Sequence, residues 1–166
     1  MANGPSNTVS GSTTETTPPK RESRVEVTWV GEHRFDTGRP GGPTSRLDGE
    51  GLTGQSPVDG LLSALAACSA VDVVDIMAKR RTPVERLRVE ARGERREELP
   101  RRIMRVELRY IVDGAGIDVT QVERAIALSH EKYCSVAATL APDLEVRSVV
   151  VVNGREGRVH SARENQ

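Results

Sequence analysis

The feature that most constrains the fold is one long apolar stretch between Ser56 and Pro83. Ser56 suits the N-cap of a helix, Pro57 its first position and Asp59 its third, which together predict a capping box. The run that follows is rich in Ala, Leu and Val through Val74, and the helix has to end before Pro83. A surface helix would have one clearly polar face, so we expect this helix to be covered on more than one side.

Stretches on both sides of this helix alternate apolar and polar residues, which is typical of half-buried strands. The predicted strands are 25–29, 33–37, 44–48, 87–91, 104–112 and 144–152. A second helix is predicted to begin at Asp118, with Gln121 as its capping partner, and to end at Pro142. This order of elements predicts an α+β fold, in which an antiparallel sheet carries two main helices packed on one face.

The composition along the chain predicts one domain between two polar ends. Residues 1–22 are rich in Ser, Thr and Pro and bury too little apolar surface to fold, so they are predicted to be a disordered tail. The domain is expected to span 23–153. Residues 154–166 are polar and are predicted to be a frayed C-terminal tail.

Charge and composition exclude several classes of function. The chain has 24 basic and 24 acidic residues, so no net field attracts nucleic acid or an anionic membrane. Aromatic residues make up 2% of the chain, too few for a base-stacking surface. We expect no membrane span, because no run of 18 or more apolar residues occurs, and without a secretory signal pattern we expect a cytoplasmic protein.

Cys68 and Cys134 are the only cysteines. Two thiols that meet in a fold can run a redox cycle, in which one attacks an oxidant and the other then forms a disulfide with it. The attack requires a thiolate, which an interior thiol forms only beside a cation. Asp72 and Asp75 lie on the helix face of Cys68 and oppose its ionisation unless an Arg neutralises them. The alternative is that both cysteines are small, passive, buried side chains.

The surroundings of Cys134 leave two alternatives open. The apolar phase shifts at 132–135, so Cys134 either starts a fresh turn of helix or continues the preceding helix with His130 four residues before it. In the first case its sulfur lies near a helix N-terminus, where the dipole favours thiolate. In the second, His130, Cys134 and Cys68 could hold zinc, a weak signal because the chain has no CxxC motif.

Residues 49–54 match the dinucleotide-binding pattern GxGxxG. That pattern needs a buried parallel strand before it and a helix opening within it, whereas Pro57 places the helix start later. We therefore interpret 49–54 as a flexible connection between a strand and the long helix.

Two spaced cysteine motifs resemble those of the OsmC/Ohr family, the osmotically inducible and organic hydroperoxide resistance proteins. The first is Ser56-Pro57 with Cys68 eleven residues after the Pro, and the second is KYCSV at 132–136. The segment SRLDGE at 45–50, which contains Arg46, is similar to the arginine segment of that family. The likeness covers roughly 24–152, and the order of strands and helices agrees with it.

The resemblance implies an intertwined homodimer with two active sites at the subunit interface. It implies that Cys68 is the thiolate that attacks the peroxide, Cys134 the resolving thiol, and Arg46 the cation that holds thiolate and peroxide. The implied substrates are organic hydroperoxides, and the implied reductant is a dithiol such as a lipoyl group or a small thiol. No cofactor and no metal are implied.

This chain departs from the family pattern directly after the helix Pro. Studied members have a Glu there that pairs with the Arg, whereas this chain has Val58, and its acid is Asp59. One residue turns a helix by about 100°, so Asp59 faces elsewhere, and we expect Arg46 either to be held by Asp72 or to be less ordered. The alternative function is a catalytically silent small-molecule-binding protein of the same fold, or a redox sensor that forms the same disulfide.

Overall fold

The computed structural model describes residues 22–161, so most of the tail predicted at 1–22 and the last five residues lie outside it. The strands are β1 (Glu26–Trp29), β2 (Arg34–Gly38), β3 (Thr44–Asp48), β4 (Arg86–Arg95), β5 (Ile103–Asp113), β6 (Glu145–Val152), β7 (Arg155–Glu156) and β8 (His160–Ser161). The helices are α1 (Pro57–Lys79), α2 (Val119–Leu128) and α3 (Ser135–Thr139), with a π-helical turn, Ser129–Tyr133, between α2 and α3.

The strands form two sheets, and the predicted α+β class is confirmed. The small sheet, in the order β1-β2-β3, is antiparallel. The large sheet has the order β4-β5-β6-β7, with β8 also paired to β6. It is mixed rather than antiparallel as expected, because β5 and β6 run parallel. A parallel pair needs a long crossover, and the segment that contains α2 and α3 provides it.

The long helix α1 begins as the sequence predicts. The Ser56 hydroxyl accepts a hydrogen bond from the Asp59 N–H at 3.2 Å, and the Asp59 carboxylate accepts one from the Ser56 N–H at 3.2 Å. The helix ends at Lys79, with Arg80 as its C-cap, before Pro83. The capping box therefore accounts for Asp59, whose carboxylate serves the first turn of this helix.

Among residues 22–161, the rest of the fold covers only one side of α1. Leu65, Val73 and Met77 are buried in the main core with the large sheet. Leu61, Val71 and Val74 are 44%, 60% and 41% exposed. Within a single chain, the expectation of a helix covered on more than one side is therefore wrong.

Length and apolar composition would allow α1 to cross a membrane, and within 22–161 it is the one helix of this kind. The sequence expectation of no such stretch is therefore too strict, because it required an unbroken apolar run. The same length and composition are found in core helices of soluble proteins. The burial of Leu65, Val73 and Met77 against the large sheet fits that second origin.

The predicted frayed end from 154 is wrong for the part that the structure describes. Asn153 and Gly154, with φ of 48° and 79°, connect β6 to β7 in a tight hairpin, and β8 then pairs with β6. Positive φ at both positions is what a two-residue hairpin of this kind requires, and Asn-Gly is its strongest sequence signal.

Candidate active site

The two cysteines meet in the interior of the fold. Cys68 is half-buried on α1, Cys134 is buried before α3, and both are free thiols. Each lies within hydrogen-bonding reach of the other. They come together because α1 packs against the π-helical turn and α3. Two thiols that interact in this way can be oxidised to a disulfide.

The π-helical turn sets the position of Cys134. It interrupts the helix after Leu128, and α3 starts afresh at Ser135 with Cys134 as its N-cap. The Cys134 sulfur accepts a hydrogen bond from the Ala137 N–H at 3.4 Å. The fresh-helix alternative is therefore confirmed, and the continuous helix with His130 stacked on Cys134 is wrong. Turns of this type are frequent at functional sites.

Burial decides the ionisation of Cys134. It raises the pKa of this thiol to about 11, and the Cys68 thiol beside it acts in the same direction. The N–H groups of Ala137 and Val136 oppose this shift without overcoming it. Cys134 is therefore protonated at neutral pH and is a poor first nucleophile. Cys68, the more exposed of the two thiols, is the better placed to meet an oxidant.

Arg46 lies on the small sheet, where its partner is not the one expected. The register of β2 and β3 pairs Asp36 with Arg46, and the Arg46 Nε donates to Asp36 Oδ1 at 2.5 Å. This hydrogen bond lowers the pKa of Asp36 and raises that of Arg46. The expected pairing of Arg46 with Asp72 is therefore wrong, because cross-strand register brings a nearer carboxylate. Within residues 22–161 of one chain, neither thiol is a partner of Arg46.

Asp72 joins α1 to the π-helical turn. Its carboxylate accepts a hydrogen bond from the Ser129 hydroxyl at 2.6 Å, and the Ser129 carbonyl in turn accepts from the Cys134 N–H at 2.8 Å. Asp72 thus helps to hold the segment that carries Cys134.

A buried polar cluster beside the thiols was missed by the sequence reasoning. Tyr110 is fully buried on β5, and its hydroxyl lies 2.6 Å from Ser69 Oγ and 3.4 Å from His130 Nε2. Burial raises the pKa of Tyr110 well above its usual value, and the charges of Cys134, Asp72 and Cys68 act in the same direction. A phenol among the aliphatic residues of a buried strand needs a hydrogen-bond partner, and that signal was available in the sequence.

The loop at 49–54 is held by a carboxylate rather than open to a phosphate. Asp48 accepts hydrogen bonds from the N–H groups of Glu50 and Thr53 at 3.0 and 2.9 Å, and from the Thr53 hydroxyl at 2.8 Å. These bonds lower the pKa of Asp48 to about 2. Amides that a phosphate would need are therefore taken, and the loop is a connection held in place by these hydrogen bonds rather than a flexible one.

The weak zinc alternative also lacks the necessary geometry. Across residues 22–161, no three or more His, Cys, Asp and Glu side chains are arranged to hold a metal ion. The set of His130, Cys134 and Cys68 is therefore not a zinc site in this part of the chain.

An apolar pocket of about 230 Å³ lies along the first half of α1. Its wall includes Leu62 and Leu65 of α1, Val106 of β5 and Leu140 after α3. Arg101 and Arg102, just before β5, also line it. Neither cysteine lines this pocket, and Leu65, about one helical turn before Cys68, is the wall residue nearest to that thiol along α1.

Sequence comparisons identify a family and a known protein that are similar to this chain. The family model of OsmC-like proteins matches residues 48–148, a range that includes both cysteines. The protein YhfA of Escherichia coli strain K12 is 40% identical over 118 residues, which is 70% of this chain and 88% of YhfA.

Solved structures show the same fold. A protein from Aquifex aeolicus has a TM-score of 0.70 and 29% identity, over 78% of this chain and 95% of that one. The organic hydroperoxide resistance protein OhrB of Bacillus subtilis has a TM-score of 0.53 and 14% identity, over 79% of this chain and 98% of that one. At 14% identity, the similarity to OhrB shows a shared fold and no more.

Proposed function

Since this chain belongs to the family of OsmC-like proteins, we propose that it is a thiol-dependent peroxidase that reduces organic hydroperoxides. The observation that carries the proposal is the contact between the Cys68 and Cys134 thiols, one half-buried and the other buried and protonated. Such a pair suits a cycle in which the first thiol meets the oxidant and the second resolves the product.

The chemistry proceeds in two oxidative steps and one reductive step. The Cys68 thiolate attacks the hydroperoxide, an S–O bond forms as the O–O bond breaks, and the alkoxide takes up a proton to leave as an alcohol. The Cys134 sulfur then displaces hydroxide from the Cys68 sulfenic acid, which gives a disulfide and water. A dithiol such as a lipoyl group, or two small thiols, exchanges with this disulfide, restores both cysteines and is itself oxidised.

The pocket along α1 supports an organic rather than an inorganic peroxide. Its wall is built largely from aliphatic side chains, which favour an alkyl group over the small polar hydrogen peroxide. The Bacillus subtilis neighbour is an organic hydroperoxide resistance protein, which agrees with this choice. A cytoplasmic location, where thiols are kept reduced, is part of the proposal.

The proposal includes a homodimer that completes the site. Arg46 is the cation proposed to stabilise the Cys68 thiolate and the peroxide oxygen, through its fixed charge and forked geometry. It belongs to the small sheet, whose Val27 and Trp29 are 59% and 65% exposed. Apolar side chains this exposed are typical of a surface that another chain covers. We propose that a second copy covers them and brings Arg46 to the thiols.

One experiment separates this function from its alternatives. One equivalent of cumene hydroperoxide should convert Cys68 and Cys134 into an intramolecular disulfide, measured by peptide mass mapping. Cys134→Ser should stop at a sulfenic acid on Cys68 that dimedone traps, and Cys68→Ser should consume no hydroperoxide. With dihydrolipoamide present the wild type should turn over many times. Consumption that ends at one equivalent would indicate a redox sensor, and no consumption a silent binding protein.

A further inference from the structure

Disulfide formation in the oxidative cycle requires one proton to leave a thiol and one to reach the departing hydroxide. The Cys134 thiol is protonated at neutral pH, because burial raises its pKa to about 11. It has to lose that proton as it attacks the sulfenic sulfur, since the thiolate is the nucleophile. The departing hydroxide has to gain a proton to leave as water. A group beside the thiols that can take up and return one proton would serve both needs.

The buried cluster of Tyr110, Ser69 and His130 has the form of such a group. Ser69 directly follows Cys68 on α1, and its hydroxyl lies 2.6 Å from the Tyr110 hydroxyl. His130 directly follows Ser129, whose carbonyl accepts from the Cys134 N–H. The Tyr110 hydroxyl, 3.4 Å from His130 Nε2, therefore links the backbone beside one thiol to the backbone beside the other.

The hydrogens of this cluster have two compatible arrangements. Ser69 also lies 3.2 and 3.1 Å from the carbonyl oxygens of Leu65 and Ala66, so its hydroxyl can donate to either of them and accept from Tyr110. Tyr110 then accepts from a protonated His130. In the other arrangement Ser69 donates to Tyr110, which donates to neutral His130. A hydroxyl that can exchange donor and acceptor roles passes a proton without ionising.

Burial argues for a path rather than for a base at Tyr110 itself. Tyr110 is fully buried, so its own phenolate is strongly disfavoured. His130 is half-buried and is the member of the cluster that reaches toward the surface. Histidine is also the side chain whose proton exchanges most readily near neutral pH.

We propose that His130, acting through the Tyr110 hydroxyl, accepts the Cys134 proton during disulfide formation and returns it to the departing hydroxide. This inference rests on the proposed peroxidase function. The proton leaves Cys134 as the S–S bond forms, and Tyr110 passes its own proton to His130 as it receives one from the thiol side. The protonated His130 then supplies the hydroxide released from Cys68, so sulfenic acid and thiol give disulfide and water with no net proton.

Several charged or titratable groups lie near this path or next to it in sequence. Asp72 and Cys68 lie on α1, Tyr110 on β5, and Cys134 before α3. Glu131 and Lys132 follow His130 in the π-helical turn. The negative charge of Asp72 acts on the Tyr110 hydroxyl, whose pKa it helps to raise.

The test measures the rate of disulfide formation between Cys68 and Cys134 in the full-length protein. Wild type, Tyr110→Phe and His130→Gln are mixed with excess cumene hydroperoxide, quenched at intervals from pH 5 to 9, and the sulfenic acid and disulfide are quantified by mass spectrometry. Tyr110→Phe should slow disulfide formation by roughly 100-fold, the lower end for acid–base catalysis, and let the Cys68 sulfenic acid accumulate. His130→Gln should remove an inflection of the wild-type rate between about pH 5 and 8.

Matched controls separate a proton path from a general loss of structure. Ser148→Ala removes another buried hydroxyl from the large sheet, and His33→Gln removes an exposed histidine. Both should keep the wild-type rate and its pH profile. Thermal melts establish which variants are folded, and His130→Gln carries the test if Tyr110→Phe is not.

The outcomes distinguish this inference from the function on which it rests. A wild-type rate and pH profile of disulfide formation in folded Tyr110→Phe or His130→Gln would overturn the proton path alone. A wild type that forms no disulfide with hydroperoxide would overturn the proposed function and the inference with it.

Discussion

The two sides of α1 meet very different surroundings. On the inner side, Leu65, Val73 and Met77 join a closed core with β5 and β6. On the outer side Leu61, Val71 and Val74 are exposed, and the small sheet adds further exposed apolar side chains. The inner side is fully packed within one chain, whereas the outer side is as apolar as a protein core but is exposed. The thiols belong to the complete region, and Arg46 belongs to the incomplete one.

The first prediction compares two leucines on the opposite sides of α1. Leu65 is 1% exposed and Leu61 is 44% exposed. Leu65→Ala should lower the free energy of unfolding by about 2–5 kcal/mol, because it leaves a cavity in a packed core. Leu61→Ala should change it by less than about 1 kcal/mol in dilute protein, where the outer side is uncovered. Urea denaturation measures both. Equal losses at all protein concentrations would remove the distinction between the two sides.

The second prediction concerns Cys68 and Arg46, the proposed reacting thiol and its proposed cation, which lie in different regions. Arg46→Ala should slow the peroxide step by about 10²–10³-fold, the usual loss when a group that stabilises developing charge is removed. Arg109→Ala is the matched control, since both side chains are 35% exposed and each is paired with a carboxylate. Stopped-flow kinetics with cumene hydroperoxide measure the rates. If Arg46→Ala reacts as fast as Arg109→Ala, another residue supplies the cation.

Local signals allowed the sequence to predict the inner region well. The capping box at Ser56 and the end of α1 before Pro83 depend on neighbours within four residues, and both were predicted. The alternation of β5 followed from burial of one strand face. The parallel pairing of β5 with β6 was not predicted, because it depends on where a long crossover returns. The hairpin at Asn153-Gly154 carried a readable signal that the polar composition outweighed.

The candidate site divides in the same way. The pairing of the two thiols was implied by the family resemblance, and the structure brings them together. The partner of Arg46 was not predictable from motif spacing, because Asp36 reaches it through strand register rather than through sequence distance. Ser69 and Tyr110 are 41 residues apart, so their contact follows only from how α1 lies on β5. Contacts across elements need the packing, which periodicity alone does not specify.

The third prediction tests whether a second copy covers the outer region. Val27→Lys should raise the dissociation constant of the dimer at least about tenfold, because it buries a charge where the small sheet meets the second copy. Val159→Lys is the matched control, since Val27 and Val159 are 59% and 60% exposed within one chain. Sedimentation equilibrium measures both variants. Loss of peroxidase activity together with dissociation would link Arg46 to the partner copy, and a wild type that is monomeric at all concentrations would contradict the dimer.

The smallest expected effect concerns the start of α1, where inner and outer sides share one cap. Ser56→Ala removes the hydroxyl that accepts from the Asp59 N–H and should lower the free energy of unfolding by about 1 kcal/mol. Ser63→Ala changes the same residue type at an exposed position inside the helix, where alanine is the better helix former, and should be neutral or slightly stabilising. Because the cap belongs to the single chain, the loss in Ser56→Ala should not depend on protein concentration. A loss that grows on dilution would mean that the first turn of α1 is ordered by the partner copy rather than by its own cap.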